Sequence, residues 1–173
     1  MDITIRKALP EDAYDYTALH MCCWRDAYTG IIPGAFLDGR AAELEQRAEQ
    51  CRLSLEAPGD CGFYCAVYNG GMIGRLIFAK SQDGDKPDAG DIVALYLRKE
   101  YWGKGFGRRM MDFAVSELKR IEFQEAIIWV LDENSRARRF YERYGFTLDG
   151  ARKDIQLGKP LTCVRYALNL DSL

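Results

Sequence analysis

The chain has 173 residues, a net charge of −2, 48% hydrophobic residues and 29% charged residues. That length suits one domain, residues 1–173, with a full core, and the balance is that of a soluble globular protein. So small a net charge gives no footprint for bulk nucleic-acid binding, no apolar run approaches bilayer-spanning length, and the start, Met1-Asp2-Ile3-Thr4-Ile5-Arg6, lacks a signal-peptide layout; neither a nucleic-acid nor a membrane partner is expected.

Ile3 and Ile5 alternate with Thr4 and Arg6, which predicts an opening strand. Leu9-Pro10-Glu11-Asp12 reads as a helix start, with proline near the first position and acids in the first turn. Tyr14, Leu19, Met21, Cys22 and Trp24 carry that helix to about Tyr28, and Thr29-Gly30-Ile31-Ile32-Pro33-Gly34 breaks it. A second helix, starting near Pro33 or Arg40, runs through Ala41–Leu55 in residues that favour helix. Pro58-Gly59-Asp60 ends it.

Phe63–Tyr68 and Met72–Lys80 are strand-like and joined by Asn69-Gly70-Gly71, a strong hairpin signal. Ser81–Gly90 is polar and rich in Asp and Gly, so a long mobile loop is expected. Ile92–Leu97 is a short apolar run that predicts a strand. Met110, Met111, Phe113, Ala114, Val115 and Leu118 repeat at helical spacing through Lys119. Ala126–Leu131 predicts a buried strand. Asn134 can cap a helix holding Ala137, Phe140 and Tyr141, which Gly145 ends. Phe146–Arg152 and Leu161–Leu170 read as a final strand pair. The order β-α-α-β-β-β-α-β-α-β-β predicts an α/β fold: a mixed, mostly antiparallel central sheet with helices on both faces.

The chain has six cysteines, at 22, 23, 51, 61, 65 and 163, and one histidine, His20. With no Cys-x-x-Cys pair, neither a zinc site nor a disulfide framework is expected. Reduced thiols in a cytoplasmic protein are the default.

The chemistry concentrates between Asp91 and Met111. A strand leads into a charged turn, three alternating glycines (Gly103, Gly105, Gly107) and a helix. The first turn of a helix presents N–H groups without internal partners, and the helix dipole adds positive charge there. Glycines let a ligand approach the backbone. The combination is an anion site, most often for phosphate, and Lys104, Arg108 and Arg109 add positive charge. A dinucleotide fingerprint fails because its sixth position is Arg108. A Walker loop fails because Gly103-Lys104 is followed by Gly105.

The stretch resembles instead the acetyl-CoA loop of the GNAT superfamily of N-acetyltransferases, Gln/Arg-x-x-Gly-x-Gly/Ala after a strand. Gly105 and Gly107 fit its two small positions, and Trp102 stands where the pattern has Gln or Arg. A second GNAT signature resembles Asn134-Ser135-Arg136-Ala137-Arg138-Arg139-Phe140-Tyr141 with Gly145-Phe146. The match spans Asp91–Phe146 clearly, and the remainder in element order.

The resemblance implies acetyl-CoA as co-substrate, no metal, and an amine acceptor, small molecule or protein, in a cytoplasmic protein that can be a homodimer. It implies that Trp102, Gly103, Lys104, Gly105, Phe106, Gly107 and Arg108 hold the pyrophosphate, and that Asn134 also contacts the cofactor. Leu95, Tyr96 and Leu97 would offer backbone groups to the pantetheine arm, on a strand that the family often splays from its neighbour. Tyr141 would protonate the leaving sulfur. Asp91 stands where some histone-acetylating relatives carry a catalytic glutamate, so Asp91 or an ordered water is the expected base. Trp24 and Tyr28 are candidate acceptor contacts. His20 reads as a packed or exposed histidine, and Glu100 and Glu122 as surface charges. The alternatives are a non-catalytic acyl-CoA-binding module, a domain for another nucleotide, and a protein N-terminal acetyltransferase with a peptide groove near Tyr28 and Tyr166.

Overall fold

The computed structural model describes residues 3–172; the Met1-Asp2 start lies outside the described residues. The elements are β1 (Thr4–Lys7), α1 (Ala13–Tyr28), α2 (Gly34–Ala42), α3 (Leu44–Glu56), β2 (Gly62–Tyr68), β3 (Gly71–Lys80), β4 (Gly90–Leu97), α4 (Phe106–Arg120), β5 (Glu125–Leu131), α5 (Ser135–Tyr144), β6 (Thr147–Gln156) and β7 (Pro160–Asn169). The strands form a seven-stranded sheet in the order β1-β2-β3-β4-β5-β7-β6. Its pairs are antiparallel except for β4 and β5. The α/β architecture expected from the sequence is therefore observed, with one refinement. The single second helix is two, because the chain turns at Glu43 (φ −94°, ψ 15°) between Ala42 and Leu44.

The β2–β3 turn follows from its residues. Asn69 and Gly70 both take positive φ, 50° and 78°, the pair of left-handed residues whose twist suits a two-residue hairpin. The helices α4 and α5 cover one face of the sheet. Met110, Met111, Ala114 and Leu118 of α4 are fully buried against Ile73, Leu76, Ile92 and Ala126, and each large side chain contributes roughly 1.5–3 kcal/mol by leaving water. Two strand glycines let α4 lie this close: a Cβ on Gly74 would sit 2.8 Å from Met110 Sδ, and one on Gly90 2.5 Å from Leu118. The opposite face takes α1 and α3, where Ala13, Tyr16 and Leu55 pack on Cys65, Ile77 and Ala94.

The Ser81–Gly90 loop is pinned rather than loose. Arg165, only 3% exposed, binds Asp83, Asp85 and Asp149; Asp83 also accepts from Trp129 Nε1 at 2.8 Å, and Lys86 pairs with Glu125. All six cysteines are free thiols. No helix among the described residues is long and apolar enough to cross a membrane.

Candidate active site

The site begins where the sheet comes apart. The parallel pairing of β4 and β5 covers only Gly90↔Ala126 and Asp91↔Ile127. At the same level β4 carries an extra residue against β3: Ile77 pairs with Ala94 and Ala79 with Asp91, so Phe78 faces both Ile92 and Val93. Such a bulge bends and twists its strand. Beyond it β4 diverges from β5, and a cavity of about 320 Å³ opens in the gap, lined by Ile92–Leu97 on one side and Ile128–Val130 on the other. Leu95, Tyr96 and Leu97 thus present a strand edge to the cavity, the kind of edge that pairs with an extended chain.

The mouth of α4 opens into the same cavity. Gly103, Gly105, Gly107 and Arg108 line it. Gly103 and Gly105 have φ of 73° and 83°, a left-handed backbone that glycine adopts without penalty. Gly105 is the N-cap of α4 and no side chain caps the helix. A Cβ at Gly103 or Gly105 would meet nothing within 4 Å, so open space stands over the first-turn amides. Unpaired N–H groups and the helix dipole at such a mouth favour an anion.

The third wall is α5. Asn134 is its N-cap: its side-chain oxygen accepts from Ala137 N at 3.2 Å, while the residue lines the cavity. Tyr141 lies two turns further along the same face. It is 7% exposed, lines the cavity, and burial raises its pKa well above the ordinary phenol value, which keeps the hydroxyl protonated. That hydroxyl has no hydrogen-bond partner among the described residues. The helix is held on the sheet by Tyr166, whose hydroxyl donates to Glu142 at 2.6 Å and accepts from Arg138 Nε at 3.0 Å.

The fourth wall comes from the opposite face of the sheet, so the cavity passes through it. Cys23, Ala27 and Tyr28 of α1 line this end. The Tyr28 and Tyr96 hydroxyls are 3.1 Å apart, and Trp24 Nε1 donates to the Tyr96 hydroxyl at 2.9 Å. His20 packs against Trp24 and Tyr96; burial, with Arg75 nearby, lowers its pKa to about 2, so it stays neutral.

The chain matches the family model of the acetyltransferase (GNAT) family over residues 13–146. It belongs to the GNAT acetyltransferase family. A probable N-acetyltransferase of Mycobacterium tuberculosis is 32% identical over 149 residues, which cover 86% of this chain and 82% of that one. A spermine/spermidine N(1)-acetyltransferase of Bacillus subtilis is 27% identical over 128 residues, covering 65% of this chain and 84% of that one. Among solved structures, the PaiA N-acetyltransferase of Thermoplasma acidophilum, crystallised with coenzyme A, superimposes with a TM-score of 0.75 at 20% identity over 98% of this chain and 99% of that one. YncA of Salmonella typhimurium, solved with its cofactor acetyl-CoA, gives 0.67 at 20% identity, covering 99% of this chain and 95% of that one. The fold is the GNAT fold.

Within this GNAT fold most of the expected site residues meet in one cavity: Tyr28, Leu95, Tyr96, Leu97, Trp102, Gly103, Gly105, Gly107, Arg108, Asn134 and Tyr141 all line it. Four others do not. Phe106 is 2% exposed and points into the core. Lys104 leans over the Tyr101 ring, 5.6 Å from its centroid. Trp24 stands behind Tyr96 and Tyr28, donating to the Tyr96 hydroxyl and packing edge-on against the Tyr28 ring. Asp91 sits before the bulge, with Asp83, Lys153 and Arg165 as its charged neighbours. Burial, reinforced by Asp83, raises its pKa to about 6 against the opposing pull of Lys153 and Arg165. Tyr166 is fully buried, so no groove forms at it. Sequence reading missed Cys23, Val93, Trp129 and Arg136 as lining residues. For Arg136 a signal existed, a cation in the first turn of a helix, where the dipole opposes it.

Proposed function

We propose that the protein transfers the acetyl group of acetyl-CoA to a primary amine by direct attack. One observation carries this reading: a single cavity joins an uncapped helix mouth, an unpaired strand edge and the free hydroxyl of Tyr141. The pyrophosphate fits the amides around Gly103–Arg108. The pantetheine arm extends along Leu95–Leu97, and the thioester reaches the level of Tyr141. The acceptor enters from the α1 side past Tyr28.

The amine nitrogen attacks the thioester carbonyl, and its lone pair forms the new C–N bond while the C=O electrons move to oxygen. Collapse of the tetrahedral intermediate breaks the C–S bond. Tyr141 gives its phenolic proton to the departing sulfur, and the second proton that the nitrogen sheds as the amide forms returns through water to restore the phenol. Raised above its ordinary pKa, the phenol is neutral at pH 7 and able to act as this acid. The acceptor's ammonium proton leaves through water; Asp91, outside the cavity, serves as the remote base at the end of that path.

Similarity to a spermine/spermidine acetyltransferase puts polyamines first among the acceptors to try. The test is a panel of polyamines, amino acids and peptide amines with thiol release as readout, alongside thermal shifts with acetyl-CoA, CoA, NAD and ATP. Stabilisation by the two CoA compounds alone, with amine-dependent thiol release, is the expected result. Equal stabilisation by NAD or ATP, or thioester binding with no turnover on any amine, would overturn the reading in favour of a nucleotide domain or a non-catalytic module.

A further inference from the structure

Arg136 is a cation in an unusual position. It lies in the first turn of α5, which contains no acidic residue, so the positive end of the helix dipole opposes it. Its guanidinium carbon is 3.1 Å from the centroid of the Trp102 ring. Both residues line the cavity. Trp102 is itself fixed, donating from Nε1 to Leu97 O at 2.7 Å. No carboxylate among the described residues is within ion-pair distance of Arg136. Desolvation lowers the guanidinium pKa below its usual value, opposed by Tyr141 and Asp26. Its near neighbour Arg138, by contrast, is paired with Asp132. An unpaired, partly desolvated cation against a dipole is unfavourable unless an anion completes it.

The stack also explains the departure at position 102. The GNAT loop pattern has Gln or Arg there, and this chain has Trp. We propose that Arg136, held flat on Trp102, supplies the side-chain cation for the coenzyme pyrophosphate at this loop. A cation from α5 thus stands over position 102, beside Arg108 of the loop, and the indole is its platform. A guanidinium lying on a ring keeps its N–H edges free in the plane, and the cavity that receives them is the one lined by Gly103, Gly105 and Gly107. The amides of the α4 mouth and the guanidinium would then grip the pyrophosphate from two sides. This assignment rests on the acetyl-CoA reading of the cavity.

The test compares wild type with Arg136→Gln, which keeps a planar group on the indole but removes the charge, and Arg136→Lys, which keeps the charge. Kd values for CoA and for dephospho-CoA are measured by calorimetry at low and high salt, with the melting temperature of the free protein. Arg136→Gln is expected to weaken both ligands by the same factor, roughly ten- to thirtyfold at low salt. The gap should narrow at high salt, Arg136→Lys should recover part of the loss, and the unliganded melting temperature should hold. CoA binding by Arg136→Gln at wild-type strength would overturn the assignment alone. So would a loss confined to CoA and absent with dephospho-CoA, which would place the cation on the 3′-phosphate, or a loss that salt does not diminish, which would make the stack a packing element. Wild-type protein that binds neither compound would instead overturn the acetyl-CoA reading itself, and this assignment with it.

Discussion

Asp91 and Ile127 are the last residues at which β4 and β5 are joined; beyond that pair Ile92–Leu97 and Ile128–Val130 line the cavity. The backbone of Asp91 therefore closes the gap while its carboxyl lies outside the cavity, and its pKa of about 6 makes it testable in two ways. As a remote base it should give kcat/KM a rising limb centred near pH 6, which Asp91→Asn should flatten. For stability, the folded pKa lies above the usual 3.8. The folded state then binds more protons than the unfolded chain between about pH 4 and 6, so stability falls as pH rises through that window. The shift corresponds to at most about 3 kcal/mol. Asp91→Asn should be more stable than wild type at pH 7 and equal to it at pH 3.5; urea melts at both values check this, and equal stability at pH 7 would contradict the shift.

Tyr141→Phe removes one oxygen from a buried ring and leaves the packing against Phe140 and Phe146. It should lower kcat by roughly ten- to a thousandfold with little change in CoA affinity. Steady-state kinetics with calorimetry separate the two effects. Full activity would remove the acid role.

Gly105→Glu places a side chain on a left-handed residue (φ 83°) and a negative charge at the mouth of α4. The backbone strain should cost about 1 kcal/mol of stability. The charge should weaken CoA binding by roughly a hundredfold, about 2.7 kcal/mol. Gly105→Ala, with open space around its Cβ, should show the strain without most of the binding loss.

Arg165→Met would leave the carboxylates of Asp83 and Asp149, which are 23% and 15% exposed, without their shared cation. A destabilisation of about 3 kcal/mol is expected, together with faster amide exchange and protease nicking within residues 81–89. Unchanged exchange in that segment would mean that Trp129 and Lys86 hold the loop by themselves.

What the sequence disclosed and what it hid separate along physical lines. The hairpin at Asn69-Gly70 was legible because two left-handed residues leave few alternatives. The strand–glycine–helix unit around Gly105 was legible for the same reason; the helix from Asn134 to Tyr141 was legible from its cap and its closing glycine, while the roles of those two residues came from the resemblance to the second GNAT signature. The break at Glu43 left no signal, since Ala, Glu, Gln and Arg surround it on both sides and none of them stops a helix. The tether of residues 81–89 was invisible because Arg165 lies far away in the chain. Asp91 was misplaced relative to the cavity for a local reason: strand alternation predicts facing only while the register is unbroken, and the bulge at Ile92–Val93 shifts the phase between Asp91 and Leu95.

On the proposed reading of the slot, that bulge makes chain length a determinant of function. A variant lacking either Ile92 or Val93 would restore equal spacing with β3, and nothing would then turn β4 aside. The strand could zip onto β5 along its length, sealing the slot and trading an enzyme's entrance for a more complete sheet. Opposite responses are thus expected from one deletion, with heat tolerance maintained or improved while the protein goes blind to its coenzyme.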